Sequence, residues 1–234
     1  HNRVRRQRQM CIRDRAGIEY LLRRSGPLSL SVNQLGGLVK SSASLDRPDT
    51  QIYMNPLSYQ TFHKGRRKLM KPDNFSGFVL GFNSCRPKSE GTVSITSSRL
   101  GEAPSIRPNY LDHEDDRDEA LAMARLIERL MATPALTGIL ADEPVTPLDK
   151  MDDDAVLADF RQRGGTVFHL CGTCRMGPDA ASSVVDSRLR VHGVEGLRIC
   201  DASAFPNITS ANTNAPTMML AHRAAVMILQ DGQR

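Results

Sequence analysis

Residues 215–230 carry apolar side chains on nearly every side of a helix, among them Met218, Met219, Leu220, Ala224, Ala225, Val226, Ile228 and Leu229. A helix without a polar face belongs in a protein interior, so this one is expected to be buried, with Gly232 as its stop. A chain of 234 residues, 40% of them hydrophobic, is long and apolar enough to provide such an interior as one large domain or two small ones.

The rest of the sequence alternates between helix and strand signals, which is the punctuation of a mixed α/β protein. Residues 16–24 read as the end of a helix stopped at Ser25-Gly26-Pro27. Residues 77–83 and 91–97 read as strands bracketing a hairpin connection at 86–90. A helix is predicted over 117–132, because Met123, Leu126, Ile127, Leu130 and Met131 recur at helical spacing; Asp116 and Glu119 suggest a capping-box start, and Pro134 ends the pattern. Residues 137–154 are acidic and proline-broken, as expected of a surface connection, and a short helix follows over 155–163. Apolar strands are predicted at 166–170 and 197–201.

Charge excludes one class of partner. The chain holds 31 Lys and Arg against 26 Asp and Glu, but residues 1–15 contribute six Arg and one Asp, leaving 25 basic and 25 acidic residues in the body. A neutral body is not a nucleic-acid-binding surface. Residues 1–15 have neither the apolar run of a secretory signal nor the serine of a transit peptide, and they read as a non-native leader. No run approaches the ~18 uninterrupted apolar residues of a membrane span. Five irregularly spaced cysteines fit a reducing compartment better than a disulfide framework, which favours a cytoplasmic location.

Two polar clusters stand out. One is His169 with Cys171-Gly172-Thr173-Cys174; the other is the run from Asn207 to Thr217 that leads into the apolar helix. Imidazole suits acceptance of a hydroxyl proton near neutral pH, since its unperturbed pKa is ~6.5. A histidine on an apolar strand is equally read as a satisfied core residue. The Cys171/Cys174 pair is readable as a thiol redox motif or half a zinc site, but no second pair accompanies it, and Met176-Gly177-Pro178 breaks the helix a redox motif would open, so no metal is expected. The Asn- and Thr-rich run has two readings as well. Asn214 or Ala215 starts the helix with Pro216 in its first turn, or the free amides and positive dipole end face an electron-rich ligand.

Three ordered blocks carry more than composition does: FHLCGTCRMG (168–177), SSVVDSRLRVHGVEGLRICDASAFP (182–206) and ITSANTNAPTMMLAHRAA (208–225). Together they resemble the C-terminal signature of glucose-methanol-choline oxidoreductases, in the style of choline dehydrogenase-like members. SCRPKSEGTVSITS (84–97), PSIRPNYLDHEDD (104–116) and the stretch from Glu19 to Ser42 are similar to that family's substrate domain. The resemblance implies an α+β substrate domain with a mixed or antiparallel sheet over 16–163. It implies in addition a segment, 164–234, that completes a dinucleotide-type FAD domain and the active site. It implies an enzyme that oxidises a small-molecule alcohol to an aldehyde or ketone with FAD, the electrons passing to oxygen or another acceptor. His169 is then the base facing the flavin and Asn212 its partner. Asp201 and Ala202 contact FAD near its ribityl chain and pyrophosphate, and Asn214 and Thr217 lie near the isoalloxazine. Cys171 falls at a variable position, and His222 replaces an acidic residue common in the family's last helix. No strand followed by a Gly-x-Gly-x-x-Gly turn occurs in the 234 residues, so these residues alone are expected to bind FAD weakly and to be inactive. The alternative is a non-catalytic binding or structural remnant of such an enzyme.

Overall fold

A computed structural model describes residues 14–29, 31, 33–60, 71–73, 75–210 and 212–232. Most of the leader at 1–15 therefore lies outside the described residues. The chain divides into two compact units, one of residues 1–37 and 52–81, the other of 38–51 and 82–234. The elements confirm a mixed helix-and-sheet architecture in which the assigned short pairings are antiparallel.

The first unit contains helix α1 (residues 14–23) and the strands β3 (Tyr59–Gln60) and β4 (Lys71–Pro72), paired antiparallel with Tyr59 opposite Pro72. Three further strands form one sheet in the order β1-β2-β5: β1 (Leu35–Val39), β2 (Thr50–Asn55) and β5 (Val79–Ser84). Gly81 permits the close approach within it, because a Cβ there would lie 2.1 Å from the Tyr53 ring. The strand expected at 77–83 is thus β5, but it does not form a hairpin with the next strand. It joins β2, and β6 (Thr92–Ser94) pairs instead with β7 (Ser105–Arg107), Val93 facing Ile106. Residues 86–90 are held otherwise: the backbone N–H groups of Lys88 and Ser89 each donate at 2.7 Å to the buried Asp116 carboxylate.

In the second unit, helix α2 (Glu114–Met131) buries Ala120, Met123, Ala124 and Ile127, as its periodicity requires. The expected capping box is replaced. His113 is the N-cap and its Nδ1 accepts from Asp115 N at 3.2 Å, freeing Asp116 to bind the 88–89 backbone. Pro134 ends the helix and opens α3 (Pro134–Thr137). Helix α4 (Asp153–Arg163) is capped by Asp152 and packs on α2, while Phe160 lies tilted against Phe82 of β5 at 5.7 Å between ring centroids. Arg125 of α2 binds the Leu148 and Met151 carbonyls and the Asp153 carboxylate, closing the connection between the helices.

The core of this unit is built from Val185, Leu189, Ala204, Phe205, Leu220 and Ala224. Residues 166–170 and 197–201 are not strands. Phe168 takes a left-handed φ of +63° that no strand allows, and residues 197–201 reach only a lone antiparallel bridge, Arg198 opposite Arg190, with Val191 N donating to Leu197 O at 3.0 Å and Ile199 N to Leu189 O at 3.1 Å. Helix α5 (Asn214–Gly232) forms as expected, but it buries only Leu220 and Ala224, whereas Met218, Met219, Ile228 and Leu229 stand 47–68% exposed. One stripe is sufficient to hold the helix on this core, so its remaining apolar faces stay open to solvent. Its far end is pinned by Asp231, whose carboxylate accepts from Arg188 at 2.8 Å, Arg190 at 2.6 Å and Arg198. Those guanidiniums, Arg190 foremost, hold the Asp231 carboxyl far below the usual carboxylate range.

Leu189 combines full burial with a φ of +65°, a conformation stabilised by Asp186, whose carboxylate accepts from the backbone N–H groups of Arg188 and Arg190. Leu189→Ala is expected to cost about 3 kcal/mol in urea unfolding by leaving a cavity in this core. The Glu119 carboxyl is pushed up to about 7 by burial, against the pull of the Ser84 hydroxyl that donates to it at 2.8 Å; Asp49 and Asp116 raise it and Arg86 lowers it. A folded-state pKa above the ordinary 4.5 means the folded protein holds this proton more tightly than the unfolded chain. Stability is therefore greatest below pH 4.5 for this group and is lost as pH rises through about 7. Glu119→Gln is expected to flatten that window and to raise stability at pH 8 by on the order of 1–2 kcal/mol after solvent screening. Urea titrations of both proteins at pH 5 and 8 check it.

Candidate active site

Both sides of the site rest on the same core. After Phe168, whose N–H donates to Thr166 Oγ1 at 3.0 Å, the chain turns and presents His169, half-buried. Beyond it, the N–H of Cys174 donates to Ser203 O at 3.0 Å and that of Met176 to Ala204 O at 2.9 Å, which fastens the loop to the buried Ala204–Phe205 pair. On the other side Leu220 and Ala224 seat α5 in that core, and the residues just before the helix, Asn212 and Thr213, meet the histidine.

The contact is close. Asn212 Nδ2 lies 2.7 Å from His169 Nε2, and Thr213 Oγ1 lies 2.9 Å from His169 Nδ1. Gln51 of β2 donates from Nε2 to Asn212 Oδ1 at 3.2 Å. With Asn212 Nδ2 as the donor, Nε2 is the acceptor and Nδ1 carries the N–H toward the Thr213 hydroxyl; with the carboxamide turned, the roles reverse. The Thr213 N–H also points at Nδ1, at a marginal 3.4 Å. In the first of these polarities the arrangement presents an unprotonated ring nitrogen beside an amide donor, at the exposed edge marked by Asn212.

The other expected site residues are placed as follows. Thr217 lies one turn into α5, its hydroxyl donating to Thr213 O at 2.6 Å, so it steadies the residue that holds His169. Asn214 is exposed at the first helical position and makes a weak contact to Met218 Sδ at 3.8 Å. Asp201 caps a single 3-10 turn, Ala202–Ala204, by accepting from Ser203 N at 2.8 Å, and Ala202 packs partly against the core. The structure thus brings His169 and Asn212 together directly, while Asp201 and Ala202 support the loop that follows the histidine. Cys171 packs against the core and burial pushes its thiol up, away from the thiolate a redox motif uses. Among the described residues no three His, Cys, Asp or Glu side chains gather as a metal requires. Gln51 and Thr213 were not singled out in the sequence. Thr213 at least falls within the Asn- and Thr-rich run, but Gln51 stands 161 residues from its partner, with no local pattern to mark it.

A sequence model described as GMC oxidoreductase matches residues 87–221, more than half of the chain. The chain belongs to the GMC oxidoreductase family. It is 37% identical over 211 residues to an alcohol dehydrogenase [acceptor] of Pseudomonas putida, covering 90% of this chain and 37% of the relative. It is 35% identical over 209 residues to an oxygen-dependent choline dehydrogenase of Proteus mirabilis, covering 89% and 36%. This GMC chain thus spans little more than a third of the length of those relatives. Its fold superposes on a formate oxidase variant of Aspergillus oryzae with a TM-score of 0.78 over 94% of this chain and 42% of that one, at 22% identity. A pyridoxine 4-oxidase from Mesorbium loti gives 0.63 over 84% and 38%, at 25% identity.

Because Asp201 caps the 3-10 turn, Asp201→Ala is expected to lower stability by about 1 kcal/mol while Asp201→Asn stays near wild type. Denaturant unfolding without added cofactor checks this, separating the cap from any part in binding.

Proposed function

We propose that this chain forms the active-site region of an FAD-dependent oxidoreductase that converts a primary or secondary alcohol to an aldehyde or ketone. The observation that carries the reading is the His169–Asn212 contact at 2.7 Å, with Nδ1 of the same ring held by Thr213. An alcohol oxygen entering between them can accept from Asn212 Nδ2 and donate its proton to His169 Nε2, exchanging one protein contact for two to the substrate. Thr213 keeps the ring oriented throughout. Loss of that proton leaves an oxygen able to expel the carbinol hydrogen with its bonding electrons.

The residues present fit part of FAD. Asn214 at the start of α5 is exposed with its amide held only weakly, and Asn214 and Thr217 would lie against the polar edge of the isoalloxazine, where the helix start favours negative charge. The exposed Asp201 suits a hydroxyl of the ribityl chain, since a carboxylate accepts rather than donates. Ala202 would pack beside it. When bound, FAD supplies a two-electron acceptor. The uncovered apolar faces of α5 and the 85% exposed Phe168 are consistent with residues 164–234 completing a larger cofactor domain. On the same reading residues 16–163 belong to the substrate domain, and the 234 residues alone hold FAD weakly, since their sequence contains no phosphate-binding glycine turn. The named relatives make choline and other small alcohols the first substrates to try. No helix among the described residues is long and apolar enough to cross a membrane.

In the full-length protein, His169→Ala is expected to slow flavin reduction by roughly 10²–10⁴-fold, and Asn212→Ala by a smaller factor. Anaerobic stopped-flow absorbance over a panel of choline, aliphatic and aryl alcohols measures this. Near-wild-type reduction in His169→Ala would remove the histidine from the chemistry.

A further inference from the structure

We propose that Gln51 is a positioning residue that sets which way the Asn212 carboxamide faces and, through it, which nitrogen of His169 carries the proton. The inference deepens the reading of His169 as the base. Its ground is the unbroken chain of side chains from Gln51 Nε2 to Asn212 Oδ1 at 3.2 Å, Asn212 Nδ2 to His169 Nε2 at 2.7 Å, and His169 Nδ1 to Thr213 Oγ1 at 2.9 Å.

Such a chain is self-consistent in two polarities. In the first, Gln51 donates, Asn212 donates onward, Nε2 offers its lone pair and Nδ1–H donates to Thr213. In the second, every bond reverses, Asn212 offers its oxygen, and Nε2 carries the proton. Only the first leaves Nε2 able to take a proton from an alcohol. The Thr213 end does not favour it: the hydroxyl serves as donor or acceptor, and the Thr213 N–H, at a marginal 3.4 Å from Nδ1, leans toward the second. The selection falls to Gln51. Its backbone is fixed in β2, the middle strand of its sheet, next to the fully buried Thr50, whereas Asn212 is exposed in a loop. Carried on the stiffer backbone, Gln51 sets the polarity that the loop-borne Asn212 follows.

The test uses the full-length protein labelled with ¹⁵N-histidine, in which the His169 ring signals are assigned by their loss in His169→Asn. In the wild type the ring is expected to carry its proton on Nδ1. Gln51→Glu offers only acceptors to Asn212, so Asn212 turns its oxygen to the ring and the tautomer population moves toward Nε2–H by about tenfold, the weight of one hydrogen bond. Gln51→Met, which keeps the length without either polar group, is expected to give a mixture of tautomers with unchanged unfolding. In turnover, Gln51→Glu should slow flavin reduction by about 10–100-fold with little change in KM, since the lone pair and not the pocket is altered. A His169 tautomer unchanged in both folded variants overturns the proposal. A shifted tautomer in a protein whose flavin reduction does not need His169 upholds the positioning and removes the base assignment instead.

Discussion

The site depends on one small core, in which Val185, Leu189, Ala204 and Phe205 meet Leu220 and Ala224. The loop after His169 hangs on the Ser203 and Ala204 carbonyls, and the residues before α5 are placed by the burial of Leu220 and Ala224. Because both segments share a single packed nucleus, their separation is set by side-chain volume, and a 2.7 Å contact between residues 43 positions apart becomes a stable feature. The histidine itself sits on irregular backbone, so no secondary-structure ladder holds it. The core takes over that task.

The polar chain beside the core has a second kind of organisation. Each carboxamide and imidazole in it has one donor and one acceptor face, so the network transmits orientation along its length. Thr217 secures Thr213 from within α5 and Gln51 reaches Asn212 from β2. A helix and a strand distant in sequence thus converge on one ring.

The helices were legible in the sequence because their apolar spacing is local, and α2, α4 and α5 lie close to where periodicity puts them. Pairing was not. β5 joins β2 and not its sequence neighbour, with Gly81 leaving room for the Tyr53 ring, and TQIYMN of β2 shows little alternation to announce itself. The apolar run at 166–170 misled in the opposite way, since left-handed Phe168 turns it into a loop. Apolar composition likewise suggested full burial for α5, although one narrow stripe anchors it in these residues. Of the candidate site, the pairing of His169 with Asn212 was suggested by blocks of sequence around them that resemble a family. Gln51 lies outside those blocks and is found only through its three-dimensional contact.

Asp231 joins three arginines that all issue from the 188–198 segment. Such a hub is redundant in one direction only. Losing any single guanidinium leaves two to keep the end of α5 in place, whereas losing the carboxylate leaves three like charges facing one another. The last turn of α5 is thus tolerant of change at its three spokes and intolerant at its centre, an asymmetry that a tally of ion pairs would miss.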